Sequence, residues 1–403
     1  MSKTNKGLYS LCIPLFALLL LVAGCKENPG SVGNDYIDNP ELTFDTLAVS
    51  QIETRSFSGY SGRLAFIPLG YYDDAVFGEV EAIGMVKPIR RPARISSDSI
   101  ELGNFSMYLE IGIDSLNTYG DTLSQTSFTA YPVTSNWRGA AFRHDQALNF
   151  DESRPVASFT IGAEDTMVVE QLSQDWVDEY EVYLTDNSLD STYNYDFKGL
   201  AIVPDNNSSK ISFAVASESR FKIINEAQTD TVSAGLMDWA YSLNRSNTNI
   251  PPEANALHST LEGMTKVQFP EEEIKTLMGD KNLVRAEFLL YENQEFSTEM
   301  LPDNHNRLVI NSLSLDFLQE NDAAYEYQFG AVDFVASREE TGSKKFVLNL
   351  TNYINNVVYG SEDRYEMLIG VGSSSGALRS MLLYNESAPD SLTPKIIFTS
   401  LAE

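Results

Sequence analysis

Ser106-Met107-Tyr108-Leu109-Glu110-Ile111 places an apolar side chain at every second position. A period of two puts alternate residues on opposite faces of an extended chain, whereas a helix needs a period near 3.6. The same alternation returns in Ser127-Phe128-Thr129-Ala130-Tyr131, in Lys210-Ile211-Ser212-Phe213-Ala214-Val215 and in Lys395-Ile396-Ile397-Phe398. Between such runs stand Asp, Asn, Gly and Ser, whose side chains or backbone freedom favour turns. From Leu42 onward the chain is therefore expected to be all-β, packed as β-sandwich, jelly-roll-like units with a few short helices. Helical spacing is confined to Val169–Val177, Glu271–Met278 and Asn352–Val358.

The order of these runs repeats. Strand Phe105–Ile111 is followed by an apolar segment with a short helix at Met167–Trp176, strand Gly199–Val203, a turn at Asp205–Ser209, and strands Ile211–Val215 and Phe221–Ile224. The second half runs Ala286–Tyr291, Phe346–Ile354, Met367–Val371, a turn at Gly372–Gly376, Ser380–Tyr384 and Lys395–Thr399. This predicts two β-sandwich units, 42–245 and 253–403, joined near Asn244–Glu253, where Pro251-Pro252 breaks the pattern. The only cysteines are Cys12 and Cys25, so no disulfide can brace the body. A 403-residue chain with 43% hydrophobic residues must rely on its cores, which a chain of this length can build.

The first 25 residues have a different character. Lys3 and Lys6 precede Leu11–Val22, an uncharged Leu-rich stretch too short to span a bilayer, and Val22-Ala23-Gly24-Cys25 then matches the bacterial lipobox. The expectation is a lipoprotein signal peptide at 1–24, lipidation at Cys25, and an acylated flexible tether at 25–41 rich in Gly, Asn, Pro and Ser. Two or more acyl chains hold a protein on a membrane without a transmembrane helix. About 15 tether residues would reach on the order of 20 Å. Lys26-Glu27 partly matches the charged stretch that directs lipoproteins to the outer leaflet of the outer membrane, so outward display is expected over the periplasmic face.

The chain is strongly acidic, with 28 Lys and Arg against 57 Asp and Glu, a formal charge of -29. Loss of Lys3 and Lys6 with the signal peptide takes this to -31. Such a field repels nucleic acid and anionic headgroups, so no nucleic-acid partner is expected, and the only basic cluster is Arg90, Arg91 and Arg94. No twelve-residue acidic loop with the glycine and closing glutamate of a calcium site occurs.

Catalytic patterns are weak. His144, His258 and His305 have no metal-ligand spacing, no G-x-S-x-G elbow presents a serine, and Gly370–Gly376 lacks the lysine of a phosphate-binding loop and reads as a hairpin turn. A non-enzymatic protein without cofactor or metal is expected. Sugar-binding sandwiches use aromatic platforms, and Trp137, Trp176 and Trp239 are candidates by residue type. Exposed coplanar rings would favour sugar, and buried rings a scaffold.

Leu69-Gly70-Tyr71-Tyr72-Asp73-Asp74-Ala75-Val76-Phe77-Gly78 resembles the "LG-x-Y-x-D-x-VFG" hallmark of the Bacteroidota lipoprotein family classed as domain-of-unknown-function 4270, with Ala75 where that family carries proline. Ser97-Asp98-Ser99-Ile100 resembles its next segment and Gly120-Asp121-Thr122 its "YGD" turn. Leu261-Glu262-Gly263-Met264 through Phe269-Pro270, with Val284-Arg285-Ala286-Glu287, resembles a later stretch. The resemblance spans most of the mature chain and brings no settled activity. It also implies that Asp-Ser/Thr triplets are O-glycosylation acceptors: Thr46, Ser99, Ser115, Thr122, Thr166, Ser191, Thr231 and Ser391, eight where composition alone gives roughly two. The function expected is an outer-membrane-anchored, surface-exposed lipoprotein acting as a non-enzymatic binding or envelope-assembly component through a protein partner. The alternative is a glycan-binding accessory lipoprotein of a polysaccharide-uptake system.

Overall fold

The computed structural model describes residues 41–90, 92, 105–185, 187–189, 191–205, 208–225, 230–294, 312–317, 323–340, 343–371 and 375–401. The expected signal peptide, Cys25, Ser99, Arg91, Arg94, His305 and residues 372–374 of the expected turn lie outside them. The described chain is mostly strand with a few short helices. In order it comprises β1 (Leu42–Ala48), β2 (Gln51–Arg55), β3 (Phe66–Asp74), β4 (Gly78–Pro88), β5 (Phe105–Gly120), β6 (Thr126–Pro132), β7 (Ala157–Ile161), β8 (Met167–Gln171), α1 (Gln174–Thr185), α2 (Tyr193–Asp196), β9 (Leu200–Pro204), β10 (Lys210–Asn225) and β11 (Asp230–Ser246). There follow β12 (Ala254–His258), β13 (Met264–Gln268), α3 (Glu271–Met278), β14 (Asn282–Tyr291), β15 (Ser312–Phe317), α4 (Ala323–Phe329), β16 (Phe334–Arg338), β17 (Lys345–Asn349), α5 (Thr351–Tyr359), β18 (Glu366–Val371), β19 (Ser380–Tyr384) and β20 (Lys395–Leu401).

Two large sheets form. One runs β7-β6-β9-β4-β11-β10-β5-β8, with β3 pairing both β4 and β10; the other runs β1-β20-β14-β17-β16-β15-β18-β13-β2. β12 and β19 make a separate ribbon. β10 pairs β3 over Lys210–Val215 and β11 over Arg220–Asn225, and the register breaks between Val215 and Arg220, where the partner changes. The sequence repeat has a counterpart in the pairings. β5 pairs β8, β6 pairs β7 and β9, and β4 pairs β9, just as β14 pairs β17, β15 pairs β16 and β18, and β13 pairs β18. Each copy places a helix, α1 or α5, straight after β8 or β17.

Two cores result. In the first, Trp176 of α1 stacks on Phe221 at 5.9 Å and packs on Phe197 at 5.1 Å. In the second, Phe288, Phe346, Ile396 and Phe398 lie under Ile274 and Met278 of α3 and Ile354 and Val357 of α5. Full burial of such side chains is worth about 1.5–3 kcal/mol each.

The pairings depart from the expected segments in two places. β1 lies against β20 from Leu42↔Leu401 to Ala48↔Lys395, and β2 against β13 from Met264↔Arg55 to Gln268↔Gln51. Residues 42–55 thus border the second sheet on both edges, and the first unit begins at β3 rather than at residue 42. Alternation marks a strand but not its partner. The helix read over Val169–Val177, and over Met167–Trp176 in the repeat, is instead β8 followed by α1. Val168 and Val169 are β-branched and pair with Ile111 and Glu110, which outweighs the helical spacing. Glu271–Met278 is helical as expected, and Asn352–Val358 falls within α5.

A buried polar joint fastens the units. Arg245, near the end of β11, donates Nε to Glu262 Oε1 at 2.6 Å and Nη1 to the Phe77 carbonyl at 3.0 Å. Glu262 Oε2 accepts from Thr260 at 2.6 Å. Burial favours the protonated carboxyl, but the Arg245 charge and the hydrogen bonds from Arg245 and Thr260 together outweigh it and hold Glu262 down to about 2. His258 Nδ1 is hydrogen-bonded to Ser380 Oγ at 2.8 Å, its ring edge-on to Phe77 at 5.6 Å, and burial pushes it down to about 3, so it stays neutral. The turn that carries Phe77 is fixed by Asp74 Oδ1, which accepts from the Val76 and Phe77 amides at 2.9 and 2.8 Å. Gly78 completes it at φ 79°, a conformation that favours glycine. Both family-like motifs, around Asp74–Gly78 and Leu261–Met264, thus meet in this joint.

Candidate functional site

Open space meets chemically capable side chains along β4 and β11. Lys87 and Asp238 face each other across these strands, and the register shifts between Leu236 and Asp238, leaving Met237 in a bulge. Bulges re-aim side chains and are common beside binding sites. Asp238 accepts from Arg63 Nε at 2.9 Å. Arg63 has φ 59°, in the left-handed region that a non-glycine residue rarely adopts, and its amide is tied to the Trp239 carbonyl at 2.9 Å. Such backbone persists where the surroundings enforce it, often at ligand sites. Beside it Gly62 packs on the Gly139 carbonyl and Gly139 on the Asp238 carboxylate so closely that a Cβ at either would overlap.

The loop Asn136–Gly139 and the short helix α2 form the walls. Trp137 donates Nε1 to the Lys198 carbonyl at 2.7 Å and meets Phe142 edge-on at 6.4 Å, which fixes its ring. The Arg138 guanidinium lies over the Tyr195 ring at 5.6 Å and donates Nη2 to its hydroxyl at 2.9 Å. Lys87 is buried, donates Nζ to the Tyr193 and Asn194 carbonyls at 3.1 and 3.2 Å, and sits 4.8 Å from the Tyr193 ring centre. Burial pushes Lys87 down to about 8 while the Asp238 charge pulls the other way, so at neutral pH it is largely protonated.

The result is two adjoining hollows of about 390 and 260 Å³ that share Trp137, Arg138 and Asn194. Ligand sites usually start near ~300 Å³. The lining carries Arg63, Lys87 and Arg138 against one carboxylate, Asp238, with the amides of Asn136, Gln146 and Asn194 around the rings of Trp137 and Tyr195. A cationic, aromatic hollow on so acidic a body can select an anionic ligand and stack a flat one.

Of the residues singled out from sequence, Trp137 lines this groove. Trp176 is fully buried in the first core, and Trp239 is half-buried with Nε1 on the Leu64 carbonyl at 2.7 Å, so the three do not form an exposed coplanar set. His144 and His258 are buried near the joint, and neither lines the groove. Among the described residues no group of three His, Cys, Asp or Glu is placed to hold a metal, and no helix is long and apolar enough to cross a membrane. Thr46, Ser115, Thr166, Ser191, Thr231 and Ser391 are exposed and Thr122 is half-buried. Sequence reading passed over Arg63, Lys87, Arg138, Asn194, Tyr195 and Asp238; the available signal was arginine beside glycine and aromatic residues in turn segments, Gly62-Arg63 and Trp137-Arg138-Gly139.

No family model and no curated protein matches the chain. Among solved structures it is similar to a protein of Parabacteroides distasonis assigned as secreted, at 9% identity and a TM-score of 0.18, covering 91% of each chain. It is also similar to the C-terminal domain of the Streptococcus agalactiae AgI/II polypeptide BspA, at 8% identity and a TM-score of 0.15, covering 90% of this chain and 91% of that one. At these TM-scores neither likeness bears on function.

Proposed function

We propose that this chain is a lipid-anchored outer-membrane protein, acylated at Cys25 and displayed outward, whose β-rich body works by binding rather than catalysis. The groove of Trp137, Arg138 and Tyr195 carries the reading. Its lining is a set of rings, amides and cations already held in place by Lys198, Phe142 and Asp238, which suits recognition by a preformed surface. The buried histidines are occupied elsewhere, His258 in the joint and His144 against the Phe57 carbonyl. A protein partner fits this reading, and the aromatic groove favours the second one, a glycan-binding accessory protein. Membership of the Bacteroidota lipoprotein family and O-glycosylation at the Asp-Ser/Thr triplets belong to the same proposal.

Cell fractionation tests the anchor and protease shaving tests the orientation. Cys25→Ser should leave the protein uncleaved or release it from the membrane fraction, and unchanged acylation would overturn the anchor. Protease added to intact cells should digest the body while a periplasmic control survives; full protection would overturn outward display.

A further inference from the structure

We infer that the groove beside β4 and β11 is a saccharide site selective for a carboxylate-bearing sugar ring. The inference deepens the binding reading and rests on it. Three features of the groove converge on this ligand class.

The first is charge. Arg63, Lys87 and Arg138 face a single carboxylate in the lining, although the whole chain has twice as many acids as bases. Asp238 already accepts from Arg63 Nε, while the Arg63 side chain stays 52% exposed. Guanidinium groups recognise carboxylates through paired N–H donors, and the buried Lys87 adds positive potential from below. The second feature is shape. Trp137 is half-buried, held at its ring nitrogen and by a perpendicular contact with Phe142, and Tyr195 is 55% exposed. A fixed indole, next to a phenol that carries Arg138 over its ring, offers apolar surface to the C–H side of a sugar ring. The third is hydrogen bonding. Asn136, Gln146 and Asn194 carry side-chain amides that both donate and accept, as a ring of hydroxyls requires. An acidic peptide would satisfy the cations but has less use for three amides around two rings. A long polyanion would be repelled by the surrounding body, so the ligand is a short acidic glycan or the end of one.

The strain at Arg63 is consistent with a built site. The left-handed backbone, the Gly62–Gly139 contact and the Met237 bulge all set the position of Arg63 and Asp238 before any ligand arrives.

The test is titration of the full-length protein with trigalacturonate, its fully methyl-esterified form and triglutamate, followed by tryptophan fluorescence and calorimetry at low and high salt. Trigalacturonate should bind, at least ~10-fold more tightly than the neutral ester or the peptide, and weaken as salt rises. Arg138→Ala should weaken it ~10-fold, with Arg138→Lys between, and unchanged thermal unfolding would show that both variants fold. Equal binding of the ester would overturn selection for the carboxylate, and equal binding of triglutamate would overturn the sugar class. Absence of all binding would overturn the proposal. A Tyr195→p-benzoylphenylalanine variant, irradiated in cells, separates this from failure of the binding reading. An adduct in the absence of saccharide binding retires the sugar-acid assignment alone, whereas no adduct retires the binding reading too.

Discussion

Arg245 and Glu262 lie 17 residues apart in the chain and meet at 2.6 Å, one at the end of the first unit's β11 and the other in the turn before the second unit's β13. Their side chains are 7% and 15% exposed. Removing one partner of a buried pair leaves the other charge without compensation, which costs about 3–5 kcal/mol, whereas replacing both by apolar groups is often neutral.

Glu262→Leu and Arg245→Met should therefore each lower stability by about 3–5 kcal/mol, and the Arg245→Met/Glu262→Leu double variant by clearly less than the sum. Urea unfolding reads this directly. Additive losses would show that the pair does not act as a unit.

Acid should loosen the same joint. His258 is held down to about 3 in the fold against an ordinary value of 6.5, and Glu262 to about 2 against 4.5. Both are depressed, so the stability they contribute is complete above the ordinary value and is lost as pH falls toward the folded one. The loss should begin below about pH 6.5 through His258 and steepen below 4.5 through Glu262. It should reach on the order of 4 kcal/mol for His258 alone by pH 3. Unfolding midpoints at pH 7, 5 and 4 measure it, and His258→Gln should flatten the upper part of the curve. An equally steep curve in that variant would point to other groups.

The joint and the segment 42–55 show what the sequence made legible. Alternation marked β5, β6, β10 and β20 because burial of one sheet face requires it, and the apolar spacing of Glu271–Met278 gave α3. The partner of β1 was not legible, since hydrogen bonds to β20 join backbones 353 residues or so apart and leave no local trace. The motif Asp74–Gly78 was visible as a turn, but not the fact that Phe77 plugs against His258. The groove was legible only as Trp137. Its three cations come from three distant segments that share no spacing, and Lys87 sits in a strand whose pattern reads as ordinary core.

Val49 and Ile52, on the segment carrying β1 and β2, are buried in the second core. Ile52→Ala should cost about 2–5 kcal/mol and raise amide exchange in β13 and β20 before β4. Exchange that rises first in β4 would contradict the assignment of residues 42–55 to the second sheet.

Six of the seven described triplet residues are exposed, so modification in the native host should add mass to the mature chain. Intact mass spectrometry with Thr46→Ala, Thr166→Ala and Ser391→Ala variants should show stepwise losses. A bare acylated mass would count against glycosylation.

With Leu42 opposite Leu401, the first and last of the described strands run side by side, and a load arriving through residue 41 enters the body lengthwise along β1. A strand drawn along its own axis must break its ladder in shear, all seven paired positions resisting together, whereas one peeled from its end gives way bond by bond. Beyond Ala48 the same segment crosses Val49 and Ser50 to grip the opposite edge through β2, so fourteen consecutive residues, 42–55, hold both borders of one sheet. Under the proposed N-terminal anchor, a pull on the body would enter through the second unit's sheet rather than through the unit that carries the groove.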